Sequence, residues 1–145
     1  MGKYEQLKLQ NQLCFPLYAA SREVIKTYRP HLDALDLTYT QYVVMMVLWE
    51  QEQISVSDLG NKLYLDSGTL TPVLKTMEKK GLIKRSRCPE DERVLMVSIT
   101  KEGLALEDKA AEIPAKMAGC IRLEPDEAAQ LYGILYKLIS QTEEQ

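Results

Sequence analysis

Cys14 and Pro16 stand two residues apart in a segment that otherwise reads as helix, with Leu13, Leu17, Ala20 and Val24 at helical spacing. Proline is cheap only where helical N–H groups have no partner, in a first turn. That spacing puts Cys14 at the N-terminal end of the main part of a helix. The helix dipole there favours thiolate, the peroxide-reactive form of cysteine. A kink at Pro16 in a longer helix is the competing explanation. A cysteine beside Leu13 and Phe15 is also most often a small core hydrophobe. A second constellation is Asp91-x-Arg93. An Asp two residues before an Arg can fix the guanidinium by a charge-assisted hydrogen bond. An Arg so presented can enter a narrow minor groove, where the potential is most negative. The bland alternative is a surface ion pair on a solvated hairpin. A third is Ser67, Thr69, Thr71 and Lys75, short donors and acceptors plus one cation on one flank of a helix start. They suit phosphates and base edges in a major groove. His31, after Pro30 in an expected turn, has no second His and no acidic neighbour at ligand spacing, so no metal is assigned. No pattern asks for a cofactor.

The elements that must hold these groups follow one another closely. A helix starts at Asp66 or Ser67, either of which can cap it. It carries Leu70, Val73, Leu74 and Met77 on one face and ends at Lys79, Lys80 and Gly81, a basic last turn and a left-handed stop. Pro72 is odd inside it, tolerable only near the first turn. Before it, Ser55 and Asp58 form a capping pair, and Val56, Leu59, Leu63 and Leu65 supply a buried stripe. Residues 54–81 therefore read as helix-turn-helix, although two ordinary packed helices share that pattern. Residues 82–100 read as a two-stranded β wing. Its strands are 82–87, whose Arg85 and Arg87 are expected to contact DNA, and 94–99. Its tip is 88–93, holding Cys88, Asp91 and Arg93.

Charge agrees with a DNA-binding reading. The chain has formal net charge −3, which argues against a general nucleic-acid binder. From Lys62 to Lys101, nine Lys or Arg stand against five Asp or Glu, so +4, and the remainder carries −7. A basic module on an acidic body suits a site-specific binder.

Asp91-x-Arg93 followed by Leu95, Ile99 and Thr100 resembles the wing signature of the MarR family of bacterial winged-helix regulators. Ser55 to Gly81 resembles that family's helix-turn-helix, and length and layout match end to end. Leu9-Gln10-Asn11-Gln12-Leu13-Cys14-Phe15, Leu17-Tyr18-Ala19-Ala20-Ser21-Arg22 and residues 63–72 are similar to its organic-hydroperoxide-responsive repressors. The resemblance implies a homodimer that represses a peroxide-detoxifying gene and leaves operator DNA when one N-terminal cysteine is oxidised by an organic hydroperoxide. Cys14 matches that position. Tyr28 and Tyr39 match the family's partner tyrosines, with Tyr18 nearby, and their hydroxyls are expected to reach the cysteine across the dimer. Some members carry a distal cysteine that forms a disulfide with the sensing cysteine of the other subunit, and Cys120 suits that type. Others use a small external thiol, which would leave Cys120 merely packed. Pro16 replaces a more usual alanine or leucine. Cys88 stands where a polar residue is usual, and is either adventitious or a second oxidation site close to DNA.

The remaining elements are expected to make the dimer. Leu104, Leu106, Ala110, Ala111 and Ile113 lie on a helix that Pro114 bends or interrupts. A last helix opens at Pro125 and is expected to bury Leu131, Ile134, Leu135, Leu138 and Ile139. A helix at 40–50 turns Tyr42, Val43, Met46, Val47 and Trp49 to the core. The expected architecture is mainly α, one winged helix-turn-helix domain over 1–145, with dimerisation helices at about 5–30 and 101–142. No apolar run is long enough to cross a bilayer. Three cysteines without a signal peptide point to a reducing, cytoplasmic compartment. A MarR-type regulator controlled by a small aromatic ligand is the alternative. A thiol peroxidase is disfavoured, because no second catalytic element accompanies Cys14.

Overall fold

In the computed structural model, which describes residues 2–143, two 3-10 turns at Glu5–Leu7 and Leu9–Asn11 lead into α1 (Cys14–Asp33). Pro16 is the third residue of α1, where a missing N–H breaks no helical bond. The sequence expectation fails at the other end. Pro30 and His31 are not in a turn but inside the last part of α1. The stop comes later, at Asp36, which takes a left-handed φ of 55°. Leu37 N–H donates to Leu32 O and Asp36 N–H to Asp33 O, each at 3.0 Å. Leu32 and Leu37 are both buried, which completes a Schellman closure.

Helix α2 (Tyr39–Gln51) opens on a capping box. Gln41 N–H donates to Thr38 Oγ1 at 3.2 Å, and Thr38 N–H donates to Gln41 Oε1 at 3.1 Å. Its buried face is Tyr42, Val44, Met45 and Leu48; Met46, expected inside, is exposed. The stretch from Tyr42 to Trp49 is apolar on all sides, so periodicity could not set its phase.

The reading head follows: β1 (Gln53–Ser55), α3 (Val56–Leu63), α4 (Ser67–Lys79), β2 (Ile83–Cys88) and β3 (Asp91–Ile99). The sheet has three antiparallel strands in the order β1-β3-β2, not two. The missed strand is three residues long, too short to show alternation. Ile54 and Arg85 both pair with Val97, which is fully buried. The tip is tighter than expected, since β2 and β3 run on to Cys88 and Asp91 and leave Pro89 and Glu90 as the turn. Leu48, Leu59, Leu70, Leu74, Met77 and Ile83 close one core around Val97.

Three more helices complete the chain: α5 (Lys101–Ala110), α6 (Ile113–Cys120) and α7 (Pro125–Glu143). Pro114 sits at the start of α6, so it divides two helices rather than bending one. Ala110, Ile113 and Met117 pack with Leu32 and Tyr42 in a second apolar cluster, whereas Leu104 and Ala111 are exposed. Helix α7, expected to bury its apolar stripe in a dimer, carries that stripe on the surface of the single subunit. Leu131, Ile134 and Leu138 are exposed at 45%, 62% and 40%, and Leu135 and Ile139 are only half-buried. Among the described residues no element of the same subunit buries that stripe fully.

Candidate functional site

The reading head is positioned by a close turn between α3 and α4. Tyr64 caps α3 in the left-handed region, at φ 57°. A Cβ at Gly60 would lie 2.7 Å from the Leu65 carbonyl oxygen, so the turn can only close over glycine. Asp66 is the N-cap of α4 and accepts from Thr69 N–H at 2.7 Å. That backbone bond holds the Asp66 carboxyl below the usual carboxylate range. The exposed flank of α4 then carries Ser67, Thr69 and Lys75. Thr71 is half-buried in the cleft between α3, α4 and the start of β3, which Arg93 also lines.

At the wing tip the Asp91–Arg93 pair forms. Arg93 Nε donates to Asp91 Oδ1 at 3.0 Å and Nη2 to Oδ2 at 3.1 Å, and the Arg93 backbone N–H also reaches Oδ1. The pairing lowers the Asp91 pKa and raises that of Arg93. The Arg93 side chain is 88% exposed, a fork held rigid at its base and open outward. Arg87 is exposed on β2. Arg85 is not free in this way. Its backbone N–H and its Nη2 both donate to Glu78, so it ties β2 to α4. Cys88 is half-buried beside the tip.

The thiol groups lie elsewhere. Cys14 is the first residue of α1 and is exposed, contrary to a core role within the subunit. Tyr18, one turn on, is exposed, with the Arg22 guanidinium over its ring at 5.4 Å. Tyr28 and Tyr39 meet with ring centroids 5.0 Å apart, and Tyr42 and Trp49 extend the stack. Burial first, and Tyr28 second, push the Tyr39 phenol above its ordinary pKa. Cys14 and Tyr28 are fourteen residues apart on one helix, about 21 Å along its axis at 1.5 Å per residue. Within one subunit the thiol and the phenols are therefore not brought together. Cys120 is exposed in the last turn of α6, just beyond Met117, which packs in the cluster with Tyr28 and Tyr39.

Three residues have structural roles here that the sequence did not display. Gly60 is one. Trp49 is the second, donating Nε1–H to the Gly103 carbonyl at 2.9 Å and so joining α2 to α5. Lys80 is the third, since its side chain crosses from the end of α4 to the α1–α2 turn. Each acts on a partner distant in sequence or on backbone, which no local pattern displays.

The sequence pattern of the MarR family matches residues 37–95. The chain is also 49% identical over 138 residues to the organic hydroperoxide resistance transcriptional regulator of Bacillus subtilis (strain 168), spanning 95% of this chain and 94% of that protein. The chain belongs to the MarR family. This MarR-family chain superposes on reduced AbfR bound to DNA with a TM-score of 0.81, at 33% identity over 99% of this chain and 98% of that one. AbfR is a protein of Staphylococcus epidermidis. On the disulfide-formed AbfR the TM-score is 0.65, at 35% identity, covering 93% of this chain and 95% of that one. This MarR-family fold thus lies nearer the reduced, DNA-bound shape than the disulfide-formed one.

Proposed function

We propose that the protein is a homodimeric, DNA-binding transcriptional repressor that releases its operator when an organic hydroperoxide oxidises Cys14. The observation that carries this reading is Cys14 exposed at the N-terminus of α1, in a chain half identical to a regulator named for organic hydroperoxide resistance. The Cys14 thiolate attacks one peroxide oxygen. The O–O bond breaks, the organic half leaves as an alcohol after taking up a proton, and the sulfur becomes a sulfenic acid, oxidised by two electrons. Tyr28 and Tyr39 of the other subunit donate hydrogen bonds to the thiolate, which the about 21 Å separation within one subunit requires. The Cys120 thiolate of that subunit then attacks the sulfenic sulfur. An S–S bond forms, and the oxygen leaves with two protons as water. Met117, one turn before Cys120 on α6, packs in the cluster that holds the tyrosines, which supports their meeting the same incoming thiol.

Ser67, Thr69, Thr71 and Lys75 on α4 read the major groove, while Arg93, steadied by Asp91, reaches the minor groove and Arg87 the backbone. Such a repressor works in the cytoplasm, where DNA and thiol reductants are. Among the described residues no helix is long and apolar enough to cross a membrane. The test is DNA binding by reduced protein before and after an organic hydroperoxide. Cys14→Ser should bind like the parent and stay bound. A Cys14→Ser protein that still lets go on treatment would overturn the reading and favour control by a small aromatic ligand.

A further inference from the structure

The end of the recognition helix is gripped from two sides. Leu82 N–H donates to Met77 O at 3.1 Å and Gly81 N–H to Glu78 O at 3.0 Å, with Gly81 at φ 79°. This closure is itself held. Thr100 Oγ1 donates to Gly81 O at 2.6 Å, and Thr100 N–H donates to Leu82 O at 3.1 Å. On the other side Lys80 Nζ donates to Asp36 O at 2.6 Å and to Gln41 Oε1 at 3.1 Å, with Asp36 Oδ2 at 3.7 Å. The ammonium thus makes two hydrogen bonds and one looser ion pair with the α1–α2 turn and the first turn of α2. A lysine at a helix end ordinarily extends into water or toward a phosphate. This side chain is only 26% exposed and is folded against its own subunit.

Its acceptors are not arbitrary. Asp36 O belongs to the left-handed residue that closes α1, the helix that carries Cys14 and Tyr28. Gln41 is buried, and the oxygen that receives Lys80 also receives Thr38 N–H in the capping box of α2. Tyr39 is the first residue of that helix. One oxygen atom therefore joins the start of α2, beside a sensor tyrosine, to the end of α4. A shift of Tyr39 toward or away from a partner thiol must either carry Lys80 with it or break two hydrogen bonds.

We propose that Lys80 is a positioning residue that couples the tyrosine site at the start of α2 to the DNA-reading helix α4. The coupling rests on the function proposed above for its physiological use, but not for its existence. Coupling between two sites is reciprocal, so DNA seated on α4 must tighten the α1–α2 turn just as events at that turn alter DNA binding. Lys80 acts as neither a DNA ligand nor a peroxide ligand. It fixes the distance between two helix ends that each meet one of those ligands.

The test uses a duplex selected by the full-length parent protein from a random-sequence pool. Amide hydrogen exchange at Thr38 to Tyr42 is measured with and without that duplex. In the parent, saturating DNA should slow exchange there. In Lys80→Met, at DNA concentrations that saturate it, the slowing should vanish, and Lys80→Arg, which keeps cationic donors, should restore part of it. Gln41→Glu retains an acceptor for both Lys80 and Thr38 and should behave as the parent. Slowing in Lys80→Met equal to that in the parent overturns the proposal. A second arm measures the ratio of Kd for DNA after and before organic hydroperoxide. Lys80→Met should reduce this ratio about 3- to 30-fold. Affinity lost equally in both states would mark Lys80 as a phosphate contact or a simple stabiliser, and the proposal would be wrong. If the parent itself keeps its affinity after hydroperoxide, the redox reading fails, and the exchange arm still decides the role of Lys80.

Discussion

The Tyr39 phenol, like any tyrosine, is a hydrogen-bond donor at neutral pH, and burial and then Tyr28 raise its pKa further. Tyr39→Phe removes that donor and leaves the ring stack on Tyr28 and Tyr42 in place. Oxidation of Cys14, followed by loss of free thiol under limiting hydroperoxide, should slow about 2- to 10-fold, the worth of one hydrogen bond. Unchanged kinetics would remove Tyr39 from the sensor. At the wing, Arg93→Ala should weaken DNA binding about ten- to a hundredfold at fixed salt and leave the dimer intact. The salt dependence of binding should also fall if the guanidinium meets phosphates. How far a residue's role could be seen in advance tracks the distance to its partner. Asp91 and Arg93 are two residues apart, and their pairing was legible as written. Lys80 and Asp36 are separated by 44 residues, and nothing near Lys80 distinguishes it from Lys79. A basic residue such as Arg85 on a wing strand invites a DNA-contact reading. Its Glu78 partner lies across a helix stop, and only folding brings them together.

Elements were legible where one face is apolar and the ends carry signals. Helix α4 shows both, with Asp66 at its start, Leu70, Leu74 and Met77 inside, and Gly81 after its end. Its cap gives a pH test. The Asp66 pKa is lowered by the Thr69 N–H bond, so its contribution is full above the unfolded carboxylate pKa and is lost as pH falls through the lower folded value. Thermal melts should therefore show a Tm gap between the parent and Asp66→Ala at neutral pH that narrows below about pH 4. Asp66→Asn, which caps without a charge, should lose that pH dependence. The α3–α4 turn gives a steric test. Gly60→Ala forces a Cβ to within 2.7 Å of the Leu65 carbonyl oxygen. The chain must shift or strain, at about 1–3 kcal/mol, read in urea unfolding. A neutral result would mean that the turn relaxes freely and does not fix the angle between the helices. Illegible elements lacked contrast. Strand β1 is too short for a period, and α2 is apolar all round, so its buried face is set by tertiary contacts with α5 and the sheet rather than by its own sequence.

For the whole molecule, the apolar stripe of α7 and the exposed Leu13, Phe15 and Leu17 of the N-terminal region describe a surface that a second copy would cover. Its periodicity was readable, but its burial belongs to an assembly and not to one chain. If Cys120 resolves Cys14, hydroperoxide alone should give a chain-linked dimer of the Cys88→Ser protein on a non-reducing gel, and Cys120→Ser in that background should abolish it. Release from DNA that needs an added small thiol, with no crosslink, would leave Cys120 merely packed. The fourteen-residue offset from Cys14 to Tyr28 carries one more consequence, for mixed dimers. If each sensor draws its thiol from one subunit and its phenols and Cys120 from the other, a lesion in one subunit spares one of the two sensors. A Cys14→Ser subunit paired with a Cys120→Ser subunit contains one sensor with both lesions and one with neither. The isolated mixed dimer would then keep a single working trigger that neither parent homodimer has, while in a cell those two homodimers would stay on the operator and mask it.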